Sequence, residues 1–378
     1  MASLAKVGIV AALVLGLLAA QIARVYHWNE SIAYNALFFL APMIFGYPSA
    51  DQTLDEQAAH FAKTTANMEA SATESSAKFM GDAIYQASFG ENATQVVELT
   101  VPSTTSNDYN IPVLCAAPQS ALVTSPSLPV VLYFFGGGLV LGSPKGELLT
   151  LRWVALEANA VVCAPHYRLA PKYPYPVPIQ DSIEGSIGIL TNRKEQIETA
   201  LNIRIDTHRV GSYGVSAGGY MSGQVARRLP EKGLNLRCQV LIAPMAKPHG
   251  GTQSATEQSN NRVWGEYKNS YGWNAFLPND VDGTLAADWK VSLVADIPED
   301  IWPSLAPAYI QILTQDFLRD EGEMYAKKLA ARGKLIALDE FDTGHIGCLP
   351  GVSNGGPGDG AMAKAVQVLK QNLHSTTM

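Results

Sequence analysis

The chain contains 378 residues, of which 47% are hydrophobic and 16% are charged, and its formal net charge is −7. This length suits one large α/β domain or two smaller ones. An acidic chain without basic clusters disfavours nucleic acid as a partner. The four cysteines lack metal-site spacing and are too few for a disulfide framework, although one or two bridges would fit a secreted protein. They are Cys115, Cys163, Cys238 and Cys348.

The N-terminal region, residues 1–48, contains an apolar run at 7–23 that Lys6 and Arg24 flank. Such a run is typical of a cleaved secretory signal or of an uncleaved membrane anchor. Because it is longer than most signal cores and no clear cleavage site follows it, we expect membrane association through residues 7–23. The expected location is the secretory pathway, of the endoplasmic reticulum type, with secretion after signal cleavage as the alternative.

Residues 49–378 have the pattern of one α/β domain. Helix-forming residues dominate 50–90, and beyond the first two strands short apolar runs alternate with helical stretches. This alternation favours a mostly parallel central sheet flanked by helices. The expected strands are 95–102, 111–116, 128–135, 160–164, 210–213, 240–243, 308–314 and 335–341.

The alternation stops between 245 and 302, where the sequence is polar, rich in turns and interspersed with aromatic residues. An insertion of this size between two strands is typical of a lid over a pocket. We therefore expect a helical cap built from about 50–90 and 245–302, and the alternative is a surface excursion with its own small core. The side chains expected to line the substrate pocket are Phe135, Leu139, Tyr271, Trp273 and Phe276.

A serine stands between two glycines, Gly214 and Gly218, directly after the apolar run at 210–213 and before a helical stretch. A strand, a very tight turn and a helix would expose the middle residue over the end of the sheet, because only glycines permit such close packing on either side. The N-terminus of the helix would favour a negative charge developing there. The pattern predicts Ser216 as a nucleophile, and a plain glycine-rich turn is the alternative.

A nucleophilic serine needs a base, and the base needs a group that orients it. Of the seven histidines, only His166 and His345 directly follow a predicted strand, and only His345 comes after the serine. Its position fits the chain order serine, acid, histidine, so we expect it to be the base. Asp316 follows the strand 308–314 immediately, which aims its carboxylate at the same edge of the sheet, and we expect it to orient the histidine.

Three other carboxylates lie near these positions and are weaker candidates. Asp320 and Glu321 fall one turn into the next helix, where we expect them to cap the helix or to face solvent. Asp342 is too close to His345 in the same loop to face its ring easily.

Three consecutive glycines at 136–138 end the strand 128–135. Their spacing to Gly142 does not fit a dinucleotide-binding loop, and no acidic residue closes a second strand about twenty residues later. We therefore expect an oxyanion loop, whose backbone N–H groups can converge because no side chain blocks them. A plain turn is the alternative. No cofactor and no metal ion are expected.

Five motifs in this order resemble the hormone-sensitive-lipase-like family of α/β-hydrolases, and the resemblance covers roughly residue 130 to the C-terminus. The motifs are LYFFGGG at 132–138, PHYRLAP at 165–171 followed by Pro174 and Pro176, GVSAGG at 214–219, DFLRDEG at 316–322, and His345. The resemblance implies an α/β-hydrolase fold in which Ser216 is the nucleophile, His345 the base and Asp316 its partner. It also implies an oxyanion hole formed by the N–H groups of Gly137, Gly138 and Ala217.

The chain departs from the family pattern at one position, since Phe135 stands where the usual motif has the histidine of His-Gly-Gly-Gly. That histidine mainly braces the loop, so the departure concerns loop geometry more than mechanism. Plant gibberellin receptors look similar but have lost the catalytic histidine, whereas this chain keeps His345.

Together, these features predict a serine carboxylic-ester hydrolase, either esterase, lipase-like or deacetylase, that acts through an acyl-serine intermediate. The expected substrate is a small lipophilic ester with a small to medium acyl group, because family members often hydrolyse short acyl esters. Some do so from a membrane anchor, as arylacetamide deacetylases do. The alternatives are a non-catalytic small-molecule receptor on the same scaffold, or a dehydratase or lyase using the same pocket.

Overall fold

The computed structural model describes residues 93–375 except 107–108, 120–126, 262 and 349–359, together with isolated positions between 53 and 66. The apolar run predicted as an anchor and nearly all of the helices expected at 50–90 lie outside the described residues. Within the described part, no helix combines the length and the apolar character that a membrane crossing requires.

A single sheet of eight strands forms the centre of the described structure. Its strands all correspond to runs expected from the sequence, with ends that differ by a few residues. They are β1 (Thr94–Pro102), β2 (Asn110–Pro118), β3 (Leu128–Phe134), β4 (Val161–Pro165), β5 (Ile205–Val215), β6 (Cys238–Ile242), β7 (Ala308–Leu313) and β8 (Leu335–Phe341).

The strand order is β1-β2-β4-β3-β5-β6-β7-β8. The first two strands pair antiparallel with each other and β2 pairs antiparallel with β4, whereas the six strands from β3 to β8 are parallel. Every residue of β3, β4, β6 and β7 is buried, as expected for parallel strands covered on both faces. The loops after the parallel strands all leave at the same edge of the sheet, which is where a site can form.

Helices cover the sheet, and three further helices lie in the insertion between β6 and β7. From residue 93 onward the α-helices are α1 (Leu148–Ala158), α2 (Val177–Leu190), α3 (Lys194–Leu201), α4 (Ala217–Arg228), α5 (Gln253–Glu257), α6 (Glu266–Phe276), α7 (Thr284–Ala287), α8 (Arg319–Ala330) and α9 (Ala361–His374). The sequence does not predict α3, because this helix of eight residues has only two buried apolar side chains, Ile197 and Leu201, and the signal is too short.

Two of the four cysteines form a disulfide. Cys115 on β2 and Cys163 on β4 lie directly opposite each other in the sheet, with their Cα atoms 4.1 Å apart, and their sulfur atoms are bonded. Cys238 and Cys348 are buried free thiols. The bridge therefore joins the antiparallel part of the sheet to its parallel part.

The segment that leads from the insertion back to the sheet is held by a buried arginine. The guanidinium of Arg227, near the end of α4, donates to the carbonyl oxygens of Ser292 at 2.9 Å, of Trp289 at 3.0 Å and of Leu293. Its side chain also lies over the ring of Tyr325, 5.2 Å from the ring centroid. Because the polar partners are all backbone carbonyls, the arginine fixes this segment of the insertion whatever side chains the segment carries.

Candidate active site

Ser216 occupies a strained turn between β5 and α4, with φ 59° and ψ −121°. A positive φ is costly for a residue with a side chain, and the amide of Ser216 is held by donating to the carbonyl of Ile242 at 2.8 Å. A Cβ atom on Gly214 would overlap the backbone of Gly218, and a Cβ on Gly218 would overlap the carbonyl oxygen of Phe134. The two glycines are therefore required for the turn that presents the serine.

The structure brings the three side chains expected to form a triad into one hydrogen-bonded row. The Oγ of Ser216 lies 2.9 Å from Nε2 of His345, and Nδ1 of that ring lies 2.7 Å from Oδ2 of Asp316. The other carboxylate oxygen of Asp316 accepts the N–H of Leu318 at 3.1 Å. All three side chains are at most 4% exposed. The tautomer with its proton on Nδ1 donates that proton to the carboxylate and leaves Nε2 able to accept the proton of the serine.

The loops that carry the acid and the histidine are joined to each other. The amide of Gln315 donates to the carbonyl of Thr343 at 3.1 Å. The carboxylate of Asp342 accepts the hydroxyl of Thr314 at 2.6 Å and the side-chain amide of Gln315 at 3.0 Å, and these two hydrogen bonds lower its pKa. Asp342 is exposed and turned toward the acid loop, so it aligns the two loops and does not face the imidazole.

The other two nearby carboxylates, Asp320 and Glu321, differ in how deeply they are buried. Asp320 is partly buried, accepts the N–H of Ser254 in the insertion at 2.8 Å and pairs with Arg319. The prediction that Glu321 caps the helix or faces solvent is wrong, since only 2% of it is exposed. Its carboxylate accepts the N–H of Lys247 at 2.6 Å, and burial raises its pKa well above the ordinary value. The first turn of α8 lies under the segment after β6, which the sequence pattern does not indicate.

The glycine loop after β3 lies beside the serine. A Cβ built on Gly136 would be 3.8 Å from the Cβ of Ser216. Gly137 and Gly138 have φ angles of 120° and 62°, and a Cβ on Gly137 would overlap the carbonyl oxygen of Leu141. Only glycine fits this path at position 137, because any side chain there would overlap the backbone of Leu141.

Phe135, expected in the substrate pocket, packs beneath this loop. It is fully buried, and its ring stacks on that of Tyr167 with centroids 4.0 Å apart and planes inclined by 3°. The hydroxyl of Tyr167 donates to the carbonyl oxygen of Phe135 at 2.7 Å. The position that holds histidine in related motifs is thus filled by a stacked pair that supports the loop from below.

The remaining residues expected in the pocket lie in the insertion and the glycine loop. Trp273 and Phe276 on α6 are fully buried and contact Tyr220, one turn after the serine, with ring centroids 5.3 and 6.1 Å away. Tyr271, on the same helix, is 9% exposed. Leu139 follows the glycines, is fully buried and has a positive φ of 71°.

Two contacts place the insertion directly on the site. A Cβ built on Gly272 would lie 2.6 Å from the carbonyl oxygen of Gly138, so α6 touches the glycine loop through its backbone. The indole of Trp264 stacks on the ring of His345, with centroids 5.7 Å apart. The sequence does not indicate the contact of Trp264 with His345 or the burial of Glu147, because neither residue belongs to a motif.

Comparison with known proteins agrees with the fold. A family model described as alpha/beta hydrolase fold matches residues 131–349, more than half of the chain. The esterase LipI of Mycobacterium tuberculosis is 29% identical over 227 residues, covering 58% of this chain and 66% of that protein. Neutral cholesterol ester hydrolase 1 of Rattus norvegicus is 28% identical over 280 residues, covering 58% of this chain and 67% of that protein.

The chain thus spans about two thirds of the length of the curated relatives it matches. Among solved structures, a bacterial heroin esterase superposes with a TM-score of 0.68 at 23% identity, covering 89% of this chain and 97% of that one. At this level of identity the superposition shows the shared fold. The chain belongs to the α/β-hydrolase fold family, in the hormone-sensitive-lipase-like branch of ester-hydrolysing enzymes.

Proposed function

We propose that this protein is a serine carboxylic-ester hydrolase in which Ser216 is the nucleophile, His345 the general base and Asp316 the group that orients the base. The observation that carries the proposal is the continuous row of hydrogen bonds, 2.9 Å from serine to imidazole and 2.7 Å from imidazole to carboxylate. The nucleophile, its base and the orienting acid have the spacing that acyl transfer requires.

The first half of the reaction forms an acyl-enzyme. Nε2 of His345 takes the proton of Ser216 as Oγ attacks the ester carbonyl carbon, and the carbonyl oxygen becomes an oxyanion. Asp316 stabilises the imidazolium that results. When the carbon–oxygen bond to the alcohol breaks, Nε2 returns its proton to the departing alkoxide. The second half repeats these steps with water as the nucleophile, releasing the acid and regenerating the serine.

The N–H groups of Gly137, Gly138 and Ala217 would hold the oxyanion. Two of them belong to the glycine loop, and the third is the first residue of α4, where the helix dipole adds positive potential. A donor of this kind is worth about 3 kcal/mol of barrier in comparable sites, because it is already oriented before charge develops.

The substrate is proposed to be a small lipophilic ester with a small to medium acyl group. Aromatic side chains of the insertion support this proposal: Trp264 stacks on His345, and Trp273 packs on Tyr220. The triad is also nearly excluded from solvent. Burial of an apolar acyl group or alcohol in such surroundings would displace water from the reacting carbonyl and strengthen the interaction with the oxyanion donors. The relatives named as esterases and as a cholesterol ester hydrolase also point to ester substrates.

The test is turnover of p-nitrophenyl acetate and butyrate by the wild type and by Ser216→Ala. We expect the variant to lose essentially all turnover while its circular dichroism spectrum and melting temperature stay close to those of the wild type. Ser222→Ala is a matched control, because this serine is buried on the same helix and bonds only to Ser212 in the described contacts. Turnover retained by Ser216→Ala, or tight ester binding without turnover by the wild type, would refute the proposal.

We also propose that residues from about 50 to 90 join residues 245–302 in a cap over the site.

We further propose that residues 7–23 attach the enzyme to a membrane of the secretory pathway. The length of the apolar run supports attachment, and the bridge between Cys115 and Cys163 suits an oxidising compartment. Fluorophosphonate labelling of membranes washed with alkaline carbonate tests the attachment, and we expect the labelled protein to stay with the membranes. A labelled protein found only in the wash would contradict attachment.

A further inference from the structure

Glu147 is a buried carboxylate that the proposed reaction does not use. It lies at the start of α1, and only 6% of it is exposed. A carboxylate is rarely buried so completely unless hydrogen bonds compensate for the lost water. The hydrogen-bond partners of Glu147 therefore indicate its role.

One carboxylate oxygen of Glu147 accepts the backbone N–H of Gly136 at 3.0 Å, and the other accepts the hydroxyl of Tyr133 at 2.5 Å. Gly136 is the first glycine of the proposed oxyanion loop and lies next to Ser216. Tyr133 belongs to β3 and stacks on Tyr213 of β5, with ring centroids 5.5 Å apart. The carboxylate thus connects the loop to the two central strands of the sheet.

The connection fixes the loop where its own sequence cannot. Three consecutive glycines have no side chains that could pack or form hydrogen bonds, and each has many accessible backbone conformations. The N–H of Gly136 would otherwise be a buried donor beside the strand end, and a carboxylate acceptor gives it a strong, directional partner. On the other side, the carbonyl of Gly137 accepts the N–H groups of Val140 at 3.2 Å and Leu141 at 3.1 Å. The loop is thus held both before and after the two N–H groups that would face the oxyanion.

We propose that Glu147 is a positioning residue for the reaction, holding the loop 136–138 so that the N–H groups of Gly137 and Gly138 converge on the oxyanion. It contacts neither the substrate nor the reacting atoms and acts through Gly136. The stacked pair of Phe135 and Tyr167 supports the strand end that leads into the same loop. This inference rests on the proposed function, because it assigns a role within the same reaction.

A positioning role predicts a specific kinetic signature. A displaced oxyanion donor weakens the transition state while leaving ground-state binding of the ester largely intact. We expect Glu147→Leu to lower kcat about tenfold to 100-fold, with KM within about twofold of the wild type. The affinity for an aryl trifluoromethyl ketone, whose adduct with the serine carries the oxyanion, should fall in proportion to kcat/KM.

The variants are chosen to separate positioning from stability. Glu147→Gln keeps an oxygen that can accept from Gly136, so it should retain kcat within about threefold of the wild type. Tyr133→Phe removes only the hydrogen bond between Tyr133 and Glu147, and its kcat should lie between those of the two Glu147 variants. It gives a milder test if Glu147→Leu does not fold. Glu157→Leu makes the same exchange at an exposed position of α1 and should leave kcat and KM unchanged.

Rates are expressed per active site, counted by the burst of p-nitrophenol or by fluorophosphonate labelling, so that misfolded protein does not count. The proposal is overturned if Glu147→Leu or Tyr133→Phe keeps wild-type kcat and trifluoromethyl ketone affinity per active site. It is also overturned if Glu147→Gln is as impaired as Glu147→Leu. The wild type and Ser216→Ala are measured alongside. An inactive wild type would mean that the proposed function fails. An active wild type with unaffected Glu147 variants would mean that only the role of Glu147 fails.

Discussion

The indole of Trp264 lies almost parallel to the imidazole of His345, with ring centroids 5.7 Å apart and planes inclined by 27°. The tryptophan is fully buried and belongs to the insertion, whereas the histidine belongs to the loop after β8. The contact therefore links the insertion to His345, the proposed general base. An aromatic face against the ring excludes water and favours the imidazolium that forms during the reaction.

Replacing Trp264 with leucine should lower kcat about tenfold, because the imidazolium loses an aromatic neighbour worth about 1 kcal/mol and the ring gains freedom to leave the serine. Phenylalanine at this position should restore most of the rate. Trp302→Leu is the control, since this nearly buried indole contacts Arg332 elsewhere and its loss should lower only the melting temperature. Equal kcat per active site in Trp264→Leu and the wild type would show that the stack has no catalytic effect.

Gly272→Ala should reduce kcat even though alanine favours the helix by about 1 kcal/mol. The added Cβ would lie 2.6 Å from the carbonyl oxygen of Gly138, so either the helix or the oxyanion loop must move. We expect about a tenfold loss in kcat with little loss of melting temperature. Asn274→Ala, at an exposed position of the same helix, should leave kcat unchanged. Full activity of Gly272→Ala would mean that the cap retreats freely from the loop.

The sequence predicts the parts of this site that depend on strand ends. Ser216 and Asp316 follow strands with buried ends, and His345 follows the partly exposed edge strand β8. Parallel strands bring their carboxyl ends to one edge of the sheet. It does not predict contacts such as Glu147 with Gly136 or Trp264 with His345, because these depend on how helices and the insertion pack over that edge. The burial of Glu321 was mispredicted for the same reason: an acidic residue in the first turn of a helix is usually exposed, and only tertiary packing covers it.

Asp316→Asn should preserve the fold and lower kcat by about four orders of magnitude. The amide can place an N–H toward Nδ1, which favours the tautomer with its proton on Nε2 and so removes the acceptor that Ser216 needs. Steady-state rates with p-nitrophenyl butyrate measure the effect. Asp342→Asn serves as the control, because its amide oxygen can still accept the hydroxyl of Thr314 and keep the two loops joined, so kcat should change little. A small effect of Asp316→Asn would assign the orienting role to another group.

Replacing both Cys115 and Cys163 with serine should lower the free energy of unfolding by about 2–4 kcal/mol, because the unfolded chain regains the freedom of a loop of 48 residues. The kinetic constants should change little, since the bridge lies between β2 and β4, away from the triad loops. Urea unfolding of both proteins measures the difference, with Cys238→Ser as a control for loss of a buried thiol. An unchanged midpoint would show that the bridge contributes nothing to stability.

The pH dependence of stability should carry a contribution from Glu147. Burial raises the pKa of this carboxyl to about 7, against the opposing effect of the hydrogen bonds from Tyr133 and Gly136. Between its unfolded pKa, near 4.5, and about 7 the unfolded state has released the proton while the folded state retains it. The folded state therefore binds more protons in this window, and its stability falls as pH rises through it.

Glu147→Gln should remove this slope, because glutamine does not titrate. The difference in unfolding free energy between variant and wild type should shift in favour of the variant by at most about 3 kcal/mol from pH 4.5 to pH 8. Taking the difference cancels groups that titrate in the same way in both proteins. The tyrosines that face Glu147 have pKa values raised well above 10 and stay neutral; they are Tyr133, Tyr167 and Tyr213. Urea unfolding at several pH values measures this, and a pH-independent difference between the two proteins would show that Glu147 titrates at the same pH in both states.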